Sequence, residues 1–280
     1  MHVNEALCLL TQFFQRKGIE NAGVDAEWLL AHVLHCKRLE LFLNYDRPLA
    51  QEQVSTLREL AKMRGRRHPL QYLIGSVQFY GQEISVDSHV LIPRPETEEL
   101  IYQLNEYFSK ATPPARIIDL GTGSGSIAIT LATLFPNAQV VASDKHKDAL
   151  DIAHKNAVEN HVENRIQFIQ SDWFENIHDT FDCIVSNPPY LSESEWNQAQ
   201  AEVKIFEPKH ALVANDEGLS DLKILLQQGQ AHLNAGGLMV LETGINQHSF
   251  LHQFAEQCGY SHTQSSTDLS KRDRFFWAWL

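Results

Sequence analysis

Arg116-Ile117-Ile118-Asp119-Leu120-Gly121-Thr122-Gly123-Ser124-Gly125-Ser126 is the stretch that decides the fold. Its first five residues form a short apolar run of the kind buried on both faces of a sheet. Alternating glycines follow, and residues 126–135 make an apolar segment of helical length. A strand, a glycine turn and a helix form a nucleotide cradle, because glycines let the backbone approach a ligand and the helix start presents unpaired N–H groups. The next apolar run, residues 139–143, ends at Asp144, about where an acidic side chain would take ribose hydroxyls. The candidate cofactor residues are therefore Asp119, Gly121, Thr122, Gly123, Ser124, Gly125 and Asp144, joined from later in the chain by Asp172, Trp173 and Asn187.

Detail separates the possible adenosine cofactors. The spacing is G-x-G-x-G, and the third glycine of the dinucleotide fingerprint falls on Ser126, so close packing for a pyrophosphate is not provided. Asp119, Asp144 and Asp172 would place three carboxylates at one sheet edge, which favours a cation over an anion. The balance favours S-adenosylmethionine over NAD. Trp173, beside Asp172, reads either as core filling or as a cover for the adenine.

A second motif follows the strand-like residues 181–186: Asn187-Pro188-Pro189-Tyr190. Prolines carry no N–H and hold φ near −65°, so the carbonyls of this turn stay available to a ligand. The Asn187 amide oxygen and the Pro188 carbonyl could accept both hydrogens of a planar –NH2 group while Tyr190 packs on its flat face. Asn187, Pro188, Pro189 and Tyr190 are thus the candidate catalytic and substrate-binding residues, for methylation of a conjugated nitrogen. Taken alone, the motif reads equally as a strand-ending turn.

Apolar residues recur at helical spacing over residues 5–14, 24–34 and 52–64, which predicts a small helical bundle over residues 1–74. Residues 77–86 alternate about Gly81 and predict a hairpin within a linker, 75–92. Beyond it, strand patterns at 165–170, 181–186, 237–242 and 274–280 alternate with helical ones at 149–160, 219–233 and 247–258. That order predicts an α/β domain over 93–280 with a doubly wound, mainly parallel sheet and a ligand at its C-terminal edge.

At 280 residues and 43% apolar, the chain can bury one large core or two unequal ones, and it has no 18-residue apolar run. The start, Met1-His2-Val3-Asn4-Glu5, lacks the pattern of a signal peptide. The four cysteines are widely spaced, so reduced thiols and a cytoplasmic location are expected. None of the 14 histidines has zinc-site spacing, and no metal is expected. Residues 1–85 hold ten of the 23 Lys and Arg and nine of the 35 Asp and Glu, so the acidic excess lies beyond them. The one basic cluster, Lys62, Arg64, Arg66, Arg67 and His68, reads as a solvated helix end or as a surface for an acidic partner. It is too small for a nucleic-acid track.

The chain resembles the HemK/PrmC family of protein-(glutamine-N5) methyltransferases. The resemblance rests on residues 25–32, Leu91-Ile92-Pro93-Arg94-Pro95-Glu96-Thr97-Glu98, the turn at 119–125, Ser171-Asp172-Trp173-Phe174, residues 186–190, Phe206-Glu207-Pro208 and residues 268–274. Asn-Pro-Pro-Tyr is shared with DNA adenine methyltransferases, whereas the segment 91–98 is not part of their pattern. Leu191 and Thr243 depart from the family, at positions expected to carry no chemistry. The resemblance implies a class I S-adenosylmethionine-dependent methyltransferase with a seven-stranded sheet whose last strand runs antiparallel. It also implies a Gly-Gly-Gln glutamine of a peptide chain release factor as acceptor, held in part by the bundle. It places Arg94 beside the cofactor and target, and it supports Trp173 as the adenine cover. Glu207 and Pro208 are expected only to anchor a loop, and residues 268–274 to form a turn with surface charges. A monomer is expected, with no direct nucleic-acid contact and no membrane. The alternatives are a nucleic-acid amino-methyltransferase, which the acidic charge disfavours, and a non-catalytic cofactor-binding protein, which the two intact motifs disfavour.

Overall fold

Val3, Ala6, Leu10 and Phe14 fall on one face of the helix Val3–Arg16 and are buried against Leu29, Leu30 and Leu57. Each of the larger ones, fully buried, stabilises by about 1.5–3 kcal/mol. The structure, a computed structural model, describes residues 1–280, which form two compact units. The first comprises Met1–Ser76 together with Gln200–Phe206, and the second Val77–Ala199 with Glu207–Leu280.

In the first unit the main helices are Val3–Arg16, Ala22–Leu34 and Gln51–Gly65. The short helix Ala201–Phe206 also belongs here, although the sequence places it far downstream. The basic cluster explains this. Arg64 is buried, with Nε 2.7 Å from Asp25 and Nη1 3.0 Å from Glu202, while Arg67 Nη1 lies 2.9 Å from Glu202. The His68 ring packs against Phe206, tilted by 36° with ring centres 4.0 Å apart. Arg64 and Arg67 are thus neither a solvated helix end nor free to dock a partner, because their charges are consumed within the unit. Desolvation would raise the Glu202 carboxyl, but the two guanidinium groups more than offset it and hold the pKa below its ordinary value.

The strands, all in the second unit except for Ser76 at the start of β1, are β1 (Ser76–Phe79), β2 (Gln82–Ser85), β3 (Arg116–Leu120), β4 (Gln139–Asp144), β5 (Ile166–Gln170), β6 (Phe181–Ser186), β7 (Leu233–Glu242), β8 (His262–Thr267) and β9 (Asp273–Trp279). The hairpin β1-β2 stands apart, and the other seven form one sheet in the order β5-β4-β3-β6-β7-β9-β8. The first five in that order are parallel, and β9 is antiparallel to both of its neighbours. The order reverses between β3 and β6, opening the crevice where such sheets bind ligands. Beneath it Ile118, Leu120, Ile184, Met239 and Leu241 pack with Leu222, Leu225 and Phe276.

Three details differ from the expected pattern. β8 carries His262, Gln264 and Ser266, and it pairs only with β9; a polar edge strand has too little apolar signal to stand out from a loop. The helix expected over 219–233 stops at Gly229, and β7 begins at Leu233. The hairpin is no free linker: Asn156 accepts from the Ser85 amide at 2.8 Å and donates to the carbonyls of Ser85 and Ser124.

Candidate active site

The glycine turn is held from below. Asp119, fully buried at the end of β3, accepts on Oδ2 from the Thr122 hydroxyl at 2.6 Å and from the Ala128 amide at 3.1 Å. Burial pushes its carboxyl up to about 7 against those two hydrogen bonds, and Asp144 nearby adds to the rise. Asp144 closes the turn from the side, with Oδ2 3.0 Å from the Gly123 amide and Oδ1 2.8 Å from the His146 amide.

A cavity of about 410 Å³ opens above this turn. Gly121, Thr122, Gly123, Ser124, Asp144, Asp172, Trp173, Arg94, Asn187 and Pro189 all line it. Asp119, Gly125, Pro188 and Tyr190 do not. Asp119 supports the turn from within the sheet, and Gly125 faces Ala153, whose Cβ would lie 3.0 Å from an added side chain. The third carboxylate on the cavity is therefore Asp221, not Asp119.

Trp173 sits at φ +48°, a left-handed conformation that costs a bulky residue about 1–2 kcal/mol. The turn lays its indole against Gly121 and lets Nε1 donate to Asp221 at 3.0 Å. Such strain persists where the surroundings hold it, and it is characteristic of ligand sites. Asp172 is paired with Lys145 at 2.6 Å. His146 and His210, both on the cavity, pack with ring centres 3.9 Å apart and planes tilted by 37°; burial and the His146 neighbour lower the His210 pKa. The lining fits S-adenosylmethionine: three carboxylates, one of them paired with Lys145, for a cation and a diol, an aromatic wall, and open space in front of Gly123.

The Asn187 loop is clamped at several points. Asn187 donates from Nδ2 to the Thr97 hydroxyl at 3.1 Å, and Thr97 donates to Glu242 Oε2 at 2.7 Å. Tyr190 donates to Glu242 Oε1 at 3.0 Å, and the Arg274 guanidinium lies 5.6 Å from the Tyr190 ring centre. Burial, with Glu242 beside it, pushes the Tyr190 hydroxyl far above its ordinary range, so it remains a donor. Burial also raises the Glu242 carboxyl, against the hydrogen bonds from Thr97 and Tyr190. Gln247 Nε2 holds the Tyr190 carbonyl at 3.0 Å. Tyr190 is therefore a strut beneath the loop rather than a face for the substrate amide. Arg94 pairs with buried Glu207 at 2.5 Å and the Ile92 amide donates to the same carboxylate at 3.3 Å, so Glu207 anchors the segment 92–94. Arg274 is half-buried, with Nη1 donating to the Thr243 carbonyl at 2.9 Å, and Asp268 is buried, accepting from Arg272, while Lys271, Arg272 and Asp273 are exposed.

Residues 5–75 match the model of the PrmC N-terminal domain, and residues 97–219 that of the methyltransferase small domain. The release factor glutamine methyltransferase of Rhodopirellula baltica is 38% identical over 270 residues, covering 94% of this chain and 91% of that protein. The chain belongs to the release factor glutamine methyltransferase family. Among solved structures, the catalytic domain of hMettl16 with a MAT2A 3′UTR hairpin aligns at TM-score 0.58 and 14% identity, over 82% of this chain and 80% of that one. The 16S rRNA N2 G1207 methyltransferase RsmC of T. thermophilus, in complex with AdoMet and guanosine, aligns at 0.52 and 20%, over 73% and 49%. At such identities these two share the fold alone.

For this member of the release factor glutamine methyltransferase family, the side chains that sequence reasoning missed are Thr97, Asp221, Glu242 and Gln247. Thr97 lies 90 residues from Asn187, and Glu242 52 residues from Tyr190. The one local signal was a carboxylate ending the apolar strand β7, Glu242, which a buried strand end would hold only with partners.

Proposed function

We propose that the chain transfers the methyl group of S-adenosylmethionine to the side-chain amide nitrogen, N5, of the glutamine in the Gly-Gly-Gln motif of peptide chain release factors, and so acts in translation termination. The observation that carries this reading is that one cavity holds both the glycine turn with Asp144 and the amide-accepting Asn187. Bound S-adenosylmethionine supplies an electrophilic methyl on a positively charged sulfur. Asp144 would take the ribose hydroxyls, Trp173 would cover the adenine, and Asp172 and Asp221 would favour the positive ligand.

An amide nitrogen is a poor nucleophile, because its lone pair is delocalised into the carbonyl. Orientation and exclusion of water therefore supply most of the rate. Asn187 Oδ1 and the Pro188 carbonyl would accept the two amide hydrogens, turn the lone pair towards the methyl, and stabilise the positive charge that develops on nitrogen. One hydrogen then leaves as a proton to water, and no dedicated base is required. Arg94, fixed on Glu207, lies on the cavity wall where the acceptor peptide would enter. The first unit would bind surface of the release factor remote from the glutamine, adding positioning energy that a short peptide lacks. The chain would act as a monomer without binding nucleic acid.

Incubation with methyl-labelled S-adenosylmethionine and, separately, a release factor, DNA and RNA tests this function. Label is expected on the Gly-Gly-Gln glutamine of the release factor; label in nucleic acid with none in the release factor would contradict it.

A further inference from the structure

Asn187 can serve as an acceptor only in one of two orientations. An asparagine amide is planar, with an oxygen at one end and an –NH2 at the other, and the two ends have nearly the same shape. If the nitrogen faced the substrate, it would oppose the very hydrogens it is meant to accept. Proline on its C-terminal side and a strand on the other hold the backbone of Asn187, but they do not choose between its two ends.

We propose that the choice is made by a two-residue relay, in which Glu242 fixes the direction of the Thr97 hydroxyl and Thr97 fixes the end of Asn187 that faces the cavity. The chain of donors runs one way. The Tyr190 hydroxyl occupies Glu242 Oε1 at 3.0 Å, and the Thr97 hydroxyl occupies Oε2 at 2.7 Å. With a hydroxyl hydrogen accepted on each of its two oxygens, Glu242 returns none to Thr97, so Thr97 spends its single hydrogen on Glu242 and offers Asn187 only lone pairs. Asn187 must then present Nδ2 to Thr97, as it does at 3.1 Å, which leaves Oδ1 as the end available to a ligand. The machinery for this is buried and hydrogen-bonded. Glu242 and Thr97 are both buried, Thr97 sits in the first turn of the helix Pro95–Phe108 with its amide bonded to the Arg94 carbonyl, and Glu242 ends β7. Thr97 and Glu242 are positioning residues for the acceptor amide. Their assignment rests on the proposed methyl transfer to an amide nitrogen.

Three variants of the full chain separate orientation from mere structure. Thr97→Val keeps the shape and removes the hydroxyl, Thr97→Ser restores it, and Glu242→Gln puts a donor where one of the two hydroxyl protons was accepted. Thr97→Val and Glu242→Gln are expected to lower kcat on a release factor by about tenfold or more, with the Kd for S-adenosylmethionine by calorimetry within about twofold of the parent. Thr97→Ser is expected to recover most of that loss. A folded Thr97→Val protein that binds the cofactor and turns over at the parental rate would overturn the relay.

Hydrogen exchange of the Asn187 side-chain –NH2 in the unmodified protein gives a second measurement that needs neither a variant nor an acceptor. The relay requires exchange slowed well below that of a free asparagine amide, and unprotected exchange would overturn it. Should the unmodified protein methylate no amide at all, the proposed function fails, while the exchange measurement still decides whether Thr97 holds Asn187.

Discussion

Asn187 and Asp144 share one cavity, and under the proposed function they answer to different ligands, so their losses should be separable. Asn187→Ala removes one preorganised acceptor and should lower kcat by about a hundredfold, leaving the cofactor Kd nearly unchanged. Asp144→Ala should instead weaken S-adenosylmethionine binding by roughly ten- to a hundredfold, the worth of a charged hydrogen bond; unchanged affinity by calorimetry would remove Asp144 from the site. Asp119 gives a pH signature. Burial, against its hydrogen bonds from Thr122 and Ala128, lifts its folded-state pKa to about 7. The folded protein therefore keeps a proton that the unfolded chain releases near pH 4, and this contribution to stability is lost as pH rises from about 4 through about 7. Asp119→Asn cannot titrate, so the fall in Tm between pH 5 and pH 8 should be smaller in the variant than in the parent. Equal falls would place the Asp119 pKa in the ordinary range. At this scale the glycine turn and Asn187-Pro188-Pro189-Tyr190 were legible because each motif is local. The roles of Asp119 and Tyr190 were not, since a sequence shows that a carboxylate or phenol is near a turn but not which way it faces.

At the scale of elements, the loop after β6 depends on the turn at residues 215–218. Gly218 adopts φ +82°, and an added Cβ would lie 2.1 Å from the Tyr190 carbonyl oxygen and 2.8 Å from Gln247 Nε2. No side-chain rotation relieves a clash with backbone, so Gly218→Ala must displace either its own turn or the Tyr190 carbonyl. Methyl transfer should fall by at least about tenfold while cofactor affinity changes less, since the glycine turn at β3 is untouched. Wild-type kinetics in that variant would show that the clamp on Tyr190 is dispensable. Strands β3, β4 and β6 were readable because strands buried on both faces become apolar runs, and β6 was located to the residue. The edge strand β8 and the early start of β7 were not, because pairing partners distant in sequence decide them.

At the scale of the whole molecule, a helical first part and an α/β second part were legible from periodicity. The excursion of Gln200–Phe206 into the first unit was not. Arg64 is the residue on which that excursion turns. Replacing it by alanine leaves Asp25 and Glu202 with far less compensation in a mostly buried setting, and should cost about 3–5 kcal/mol, visible as a lower midpoint in urea. An unchanged midpoint would mean that the pairs contribute nothing. Cutting the chain near residue 75 would strip Glu202 of both guanidinium partners as well, so such a truncation would disturb more than substrate docking.

The central claim is that Asn187 Oδ1, on this cavity, and the Pro188 carbonyl of the same loop hold a glutamine amide with its nitrogen facing the cofactor sulfur. A crystal structure of the full chain with S-adenosylhomocysteine and a release factor tests it most directly. The account predicts the Gly-Gly-Gln amide nitrogen at about 3 Å from both oxygens, within hydrogen-bonding distance, and in line with the sulfur. A glutamine side chain bound elsewhere, or held with its carbonyl oxygen rather than its nitrogen towards the sulfur, would contradict the account.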